Sequence, residues 1–482
     1  MVHRLFAALA LLVLGACASG TAWEQDRFAG LSSEEEFLIA QYGGVIETGP
    51  LAAHVREIGT RIAAQTRDAE ADQWRFRLLN SGELNAFAVP GGTVYVTRGI
   101  ATLANDEAEL AAVIGHEIAH LAAGHSESFS ARRQQAARDI ENGWVAAGRI
   151  SDPDRAAATA QDTLENALGG LAAYSRQQEL EADRIGFDLM VRSGYDPRGQ
   201  ERLLTAMSDF ASTRALSFGT SQMMEQVDFL ASHPGTGTRQ EEARRLASAA
   251  GNGAQERGDH LAAIDGVVWG ETGENGFVRG GRWIHPSLDL SFLLPSGFLP
   301  YLGPGAVLAE SETGAFVLFD VVPRDRGRAP QPYVIDLLAE IDPKLLTALP
   351  ERPQTTTIGE ARAAVIDMTL DFEGTLVDQQ LYSIVLDDLV ARFVIGAPRQ
   401  DPGALDRLRA AVRSLSPIPA AQQADLAPRR IEVHTVRAGE NVPSLAQRMK
   451  VEGAAEQYFR LINRLGPGQV LAPGMQVKLI VE

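Results

Sequence analysis

Cysteine is almost missing from this chain of 482 residues: one stands at position 17 and none follows it. No disulfide can therefore form within one chain, and no thiolate metal site can be built. Positive charge is also short. Lys and Arg number 44 against 62 Asp and Glu, a net charge of −18, which disfavours nucleic acid and anionic lipid as partners of the folded surface. Past residue 14 no stretch is apolar enough to span a membrane. What is present suffices for folding: 45% apolar and 22% charged residues support two or three domains with cores of their own.

His116-Glu117-Ile118-Ala119-His120 is the most informative run. It is an HExxH pattern within helical periodicity, preceded by Asp106, Glu107 and Glu109 and followed by Leu121 to His125. Residues four apart share a helix face, so His116 and His120 can offer two imidazoles to one Zn²⁺. Glu117, about 100° round the helix, can reach a water as general base. The bland alternative is an amphipathic helix with hydrogen-bonded histidines. A catalytic zinc site needs a third protein ligand. Glu179 and Asp183, again four apart on a later helix, supply a candidate ligand and a carboxylate to accept the outer N–H of a ligand histidine.

These residues resemble the zinc metallopeptidase family of the CAAX prenyl protease and HtpX, in its periplasmic, outer-membrane quality-control branch. The family pattern is HExxH followed by SRxxExxAD, matched at His116–His120 and Ser175–Asp183. Asn85-Ala86-Phe87-Ala88-Val89-Pro90-Gly91-Gly92 is similar to the family's NAF-x-PGG segment. The likeness spans residues 40 to 245. It implies one Zn²⁺ per chain on His116, His120 and Glu179, with Glu117 catalytic and Asp183 supporting. It also implies a substrate-binding strand edge at Asn85, Ala86 and Phe87. His125 does not fit a metzincin third ligand, since that spacing falls on Ser126, and is expected either to be structural or to support the ligands from behind. His233, in a Ser-His-Pro loop followed by Arg239, is expected near the metal, where it either closes the fourth position and makes the resting enzyme latent or contacts bound substrate.

The amino terminus carries a short basic head, an apolar run from Leu5 to Leu14, and Leu14-Gly15-Ala16-Cys17. That ending looks like a bacterial lipobox, with cleavage before Cys17 and lipid attached to it. Ala18 after it implies sorting to the outer membrane of a Gram-negative bacterium, on the periplasmic face.

The expected fold is α+β. A mainly helical zincin-type metallopeptidase domain with a small β-sheet (17–250) follows a signal peptide (1–16). An α+β sandwich (251–416), loosely similar to the PsbP/Mog1 type, comes next. A proline-bearing linker (417–430) then leads to a small strand-helix-helix-strand unit (431–482) that resembles a LysM module. In the middle of the peptidase part, residues 127–170 read as helix, turn, helix with a break at Ser151-Asp152-Pro153. His260 and His285 stand alone and read as structural or surface histidines. The reading of function is a zinc endopeptidase acting on unfolded or misassembled envelope proteins, with peptidoglycan a further partner of the last unit. The alternatives are a non-proteolytic outer-membrane assembly or binding factor, and a peptidoglycan-associated cell-wall protein.

Overall fold

A small sheet wrapped by helices fills the first half of the chain, and a broad antiparallel sheet fills most of the second. The computed structural model describes residues 33–66, 74–125, 153–220, 233 and 236–482, apart from 304, 342–344, 347–351, 373 and 424–425, with single positions between 126 and 150. Cys17 and the apolar run before it lie outside these residues, as do Ser232 and Pro234 on either side of His233.

The first half runs α1 (Ser33–Gln41), β1 (Val45–Ile46), α2 (Pro50–Ala63), β2 (Arg75–Leu79), β3 (Ala86–Val89), β4 (Thr93–Thr97), α3 (Arg98–Leu103), α4 (Glu107–Ala122), α5 (Pro153–Arg192), α6 (Gly199–Ser217), α7 (Thr236–Ala249) and α8 (Arg257–Ile264). The strands form one sheet in the order β1-β2-β4-β3, with β2 parallel and β3 antiparallel to β4. Pro90-Gly91-Gly92 turns the chain between β3 and β4. Gly91 and Gly92 take φ of 99° and 87°, which glycine adopts without steric cost. Strand β3 therefore ends up at the sheet edge.

Helix α4 starts where its sequence says it should. Asp106 is the N-cap, and its carboxylate accepts from Glu109 N–H at 2.9 Å. Glu109 in turn accepts from Asn105 N–H at 3.0 Å, so two donors at the helix start are satisfied. Helix α5 begins at Pro153, after the expected break, and runs unbroken to Arg192. Gly194, at φ 85°, ends it in the left-handed turn typical of helix C-termini. Where α4 and α5 cross, glycine faces glycine. A Cβ on Gly186 would lie 2.8 Å from Gly115 C and His116 N, and one on Gly115 would lie 3.0 Å from Gly186 O. The two backbones touch with no side chain between them, immediately beside His116.

The second half adds β5 (Phe277–Arg279), β6 (Arg282–His285), β7 (Leu290–Leu293), β8 (Phe298–Gly303), β9 (Ala306–Ser311), β10 (Phe316–Pro323), α9 (Gln331–Ile341), β11 (Gln354–Ile358), β12 (Ala361–Phe372), β13 (Thr375–Val385), β14 (Leu389–Pro398) and α10 (Pro402–Arg413). Seven of these strands make an antiparallel sheet, β11-β12-β13-β14-β10-β9-β8, and β5-β6-β7 make a second one. Alternation along β10 sends Val317 and Phe319 to a core shared with α10 and the small sheet, and Phe316 and Leu318 to a core under α9. Both faces of the large sheet are thus covered.

The chain ends in β15 (Arg430–Thr435), α11 (Val442–Ala446), α12 (Ala455–Ile462) and β16 (Gln476–Val481), with the two strands antiparallel. This unit does not hang free. Ile431 N–H donates to Val267 O, and Gly266 N–H to Ile431 O, each at 2.8 Å. Its apolar residues, Phe459 and Ile480 among them, share one core with Ile114 and Ile118 of α4. Lys478, one of three lysines in the chain, is fully buried. Its ammonium donates to the carbonyls of Thr102, Leu103 and Ala104 at the end of α3, each at 2.9 Å.

Candidate metal centre

The Gly115–Gly186 crossing brings the two four-residue pairs together. His116 Nε2 lies 3.0 Å from His120 Nε2 and 3.3 Å from Glu179 Oε2, and His120 Nε2 lies 3.4 Å from Glu179 Oε1. His233 joins them: its Nδ1 is 3.1 Å from His116 Nε2 and 3.0 Å from Glu179 Oε2. The four side chains present one donor atom each within a span of 4.8 Å. Ligands held round one zinc ion by tetrahedral bonds of about 2.0–2.1 Å stand about 3.4 Å apart. Imidazole nitrogen and carboxylate oxygen are also the donor types that zinc takes at catalytic sites. The residues fit the metal that their pattern implies.

A second layer holds these donors. Asp183 Oδ1 lies 3.0 Å from His116 Nδ1, so it fixes which ring nitrogen faces the cluster. Arg239 braces the acids from behind. It meets Asp183 through two hydrogen bonds of 2.7 and 2.9 Å, Glu179 Oε2 at 3.0 Å, and the His233 carbonyl at 3.0 Å. Gln200 donates to Asp183 Oδ1 at 3.0 Å. His125 Nδ1 is 3.0 Å from His120 Nδ1, on the side of that ring away from the other donors. Gln178 ties the His125 carbonyl to α5 at 3.1 Å.

The protonation states follow from this packing. Burial and the Arg239 charge press the His116 imidazole down, but hydrogen bonds to Asp183 and Glu179 outweigh them and hold it at about 9. Burial keeps His120 at about 4. Burial would raise Glu179 and Asp183. The three imidazoles around Glu179, and Arg239 with His116 beside Asp183, instead hold both carboxyls far below their usual range. Glu117 differs. Burial raises it, against the pull of His233 and His116. Its Oε1 is buried without a hydrogen-bond partner among the described residues, 3.7 Å from His233 Nε2. It is the one acid of the cluster left with an open proton-accepting position.

Strand β3 packs beside α4. Ala86 is fully buried, and Phe87 stacks between Tyr42 and Tyr95, at ring centroids of 5.4 and 5.1 Å. Asn85 Nδ2 donates to the Tyr42 hydroxyl at 2.6 Å. Among the described strands β3 pairs only with β4, so its outer edge faces away from the sheet. His260 and His285 stand apart from the centre and are buried. His260 lies between the His54 ring and the Ala104 carbonyl, with its Nδ1 3.3 Å from His54 Nε2 and its Nε2 3.1 Å from that oxygen. The sequence reading did not single out Gly115, Gly186, Gln178 or Gln200. A glycine in the middle of each of two helical patterns was the available signal for the crossing.

Residues 51–247 match the model of Peptidase family M48. Over these residues the chain is similar to that family, and its curated relatives include proteins named as metalloendopeptidases. It is 31% identical over 166 residues to the beta-barrel assembly-enhancing protease of Escherichia coli K12, covering 33% of this chain and 33% of that protein. It is 30% identical over 190 residues to the mitochondrial metalloendopeptidase OMA1 of Schizosaccharomyces pombe, covering 39% and 51% of the two chains. Metalloprotease YcaL of Escherichia coli K12 is 32% identical over 176 residues, covering 36% of this chain and 62% of that one. The chain thus spans about a third of the length of the assembly-enhancing proteases it matches. A solved structure from Bacteroides thetaiotaomicron aligns with a TM-score of 0.22 at 13% identity over 42% of this chain and 87% of its own, a likeness too slight to carry an argument. No helix among the described residues is long and apolar enough to cross a membrane.

Proposed function

We propose that the protein is a zinc-dependent endopeptidase of the bacterial envelope. The observation that carries this is the convergence of His116, His120 and Glu179 donor atoms beside Glu117, a buried carboxylate with an open acceptor oxygen. His116, His120 and Glu179 hold the zinc ion, which when bound polarises the scissile carbonyl and acidifies water next to it. Glu117 Oε1 takes the proton from the attacking water and passes it to the leaving amine. Its burial-raised proton affinity suits that exchange. Asp183 and Arg239 keep the donors in register. The peptide lies extended along the outer edge of β3, from Asn85 to Phe87, in β-addition.

His233 makes the enzyme latent in this reading. Its Nδ1 stands among the metal donors, so it competes for the position that substrate or water needs, and activity requires the 233 segment to move. The substrates are unfolded or misassembled envelope proteins, in keeping with the name of the assembly-enhancing relatives. Cys17 carries the lipid that anchors the chain to the outer membrane. The last unit, whose strand-helix-helix-strand order resembles a LysM module, brings the enzyme to peptidoglycan. We read the layout of α4 and α5 around the cluster as zincin-type.

The test is casein cleavage by purified protein before and after chelation, with re-addition of zinc. Cleavage lost on chelation and restored by zinc is the expected result. Chelator-resistant cleavage, or none with zinc bound and His233→Ala in place, would reject the reading.

A further inference from the structure

A cavity of roughly 200 Å³ lies where the peptidase part meets the second half of the chain. One wall is residues 82–84, the segment that leads directly into β3 at Ala86. The other walls come from α6, from residues 269–271 and 277–279, and from β8. Phe210 and Trp269 meet edge to face there, with ring centroids 6.0 Å apart. The Arg279 guanidinium sits 4.1 Å over the Phe277 ring, and that of Arg214 5.8 Å over Tyr301.

The walls are fastened to one another. Gly82 N–H donates to Glu271 Oε1 at 2.7 Å, and Arg98 donates to the carbonyls of Val268 and Gly270. A Cβ on Gly82 would lie 2.3 Å from Gly270 C, so the seam closes only on glycine. The cavity is built by this contact and does not depend on a moving loop.

We propose that the cavity is a specificity pocket for one aromatic side chain of the peptide held on β3, with its guanidinium groups reading a carboxylate beside that ring. This rests on the β-addition reading above. The size fits, since a cavity of about 150 Å³ already admits a benzene ring. The chemistry fits as well. Aromatic walls offer edge-to-face partners to a ring. Arg214, Arg279 and Arg429 line the cavity beside two carboxylates, Glu83 and Glu271. Arg214 and Arg279 donate to the Pro300 and Ala427 carbonyls. Arg429 meets Glu452 at 3.4 Å while its Nε is buried without a hydrogen-bond partner among the described residues, so the Arg429 fork suits a carboxylate. Glu271 is already engaged by Gly82 and Asn275. The carboxylate can come from a neighbouring Asp or Glu of the peptide or from its free C-terminus. An extended chain advances about 3.4 Å per residue, so the pocket is within a few residues of the β3-paired stretch.

The test walks a single Phe through an otherwise Ala-Ser-Gln peptide and measures kcat/KM at each position. Two variants fill the cavity from different walls, Val278→Trp and Leu302→Trp, both at half-buried lining residues. The wild type should favour Phe at one position by about tenfold or more over Ala. Both variants should bring that ratio near one. A following Asp in place of Asn, and a free in place of an amidated C-terminus, should each be compared for the carboxylate; whichever raises the preference identifies its source. Calorimetric binding of the same peptides under chelation separates this claim from proteolysis itself. If nothing is cleaved, the Phe peptide should still bind more tightly to the wild type than to either filled variant. Equal binding of Phe and Ala peptides, or a Phe preference unchanged in both filled variants, would overturn the proposal. So would no gain from either carboxylate, for the guanidinium part of it.

Discussion

The two ends of helix α4 carry two charged clusters of opposite character. At its start, Asp106 and Glu109 meet Arg202 at 2.8 and 3.3 Å, and Glu109 meets Arg464 of the last unit at 3.0 Å. Lys478 covers the carbonyls just before them. Here the chain supplies both signs of charge. Two turns on, His116 and His120 face Glu179 and His233, each offering one possible ligand atom to the same point. The cation nearest them, Arg239, lies behind the acids and touches Glu179 and Asp183. The first cluster is closed by its own side chains and holds the fold. The second turns three imidazoles and one carboxylate toward a single point, with one possible ligand atom from each inside 4.8 Å, and that convergence is what a metal ion needs. Burial alone does not separate them, because Glu109 and Glu179 are both almost fully buried.

The largest expected effect sharpens the second cluster. Glu117→Gln should lower the rate of peptide cleavage by about 100-fold or more and leave the metal content unchanged, because Glu117 stands beside the donors. Zinc-loaded E117Q that still turns over peptide would remove Glu117 from the chemistry.

The next effect breaks the first cluster. Burial pushes the Lys478 ammonium well below its ordinary range, yet three accepting carbonyls require three N–H donors, which only the ammonium has. Lys478→Met would leave those carbonyls unsatisfied, at a cost of about 3–5 kcal/mol. Urea unfolding should show a clear fall in midpoint, reaching the peptidase part because the two share a core. An unchanged midpoint would mean that the last unit is not part of the same folding unit.

A pH effect separates fold from site. Burial, first, holds His54 and His260 below 6.5, that of His260 strongly. Their folded affinity for protons is lower than that of the unfolded chain. Below pH 6.5 the unfolded chain binds protons that the folded core refuses, so stability falls as pH falls and is regained above 6.5. For His260 the slope approaches about 1.4 kcal/mol per pH unit. Urea midpoints at pH 7.5 and 5.5 should differ more in the wild type than in His260→Phe. Equal differences would rule His260 out as the source.

The smallest effect concerns His233. His233→Ala should raise basal cleavage of an unfolded substrate several-fold with metal content unchanged, if its ring competes at the centre. A lower rate would assign the ring to substrate contact.

The residues of the candidate metal centre were legible because a helix repeats on one face: His116 with His120 and Glu179 with Asp183 need only local spacing. The turn before β4 was legible from Pro90-Gly91-Gly92. In the second half, the sequence marks strands at 290–294, 306–309, 315–322, 363–372 and 380–385, helices at 334–341 and 402–414, and an apolar stretch at 389–395; β7, β9, β10, β12, β13, α9, α10 and β14 fall at these positions. Four strands were not read. β5 and β6 are short and carry Arg279 and Arg282, β8 contains Pro300, and β11 is a polar edge strand of Gln354 and three threonines. The docking of the last unit was also invisible. Lys478 sits in a strand pattern, and nothing local says that its partners are the carbonyls of residues 102–104. The same holds for Gly115 and Gly186, whose meaning appears only once two distant helices touch.

Metal analysis of purified protein, compared with Glu179→Ala and Glu109→Gln, tests the contrast between the two clusters most directly. Both variants change a buried carboxylate that belongs to this core, one from each cluster. The account predicts one equivalent of zinc in the wild type, its loss in E179A, and its retention in E109Q. Zinc retained in E179A at wild-type affinity, or lost equally from E109Q folded to the same extent, would contradict it.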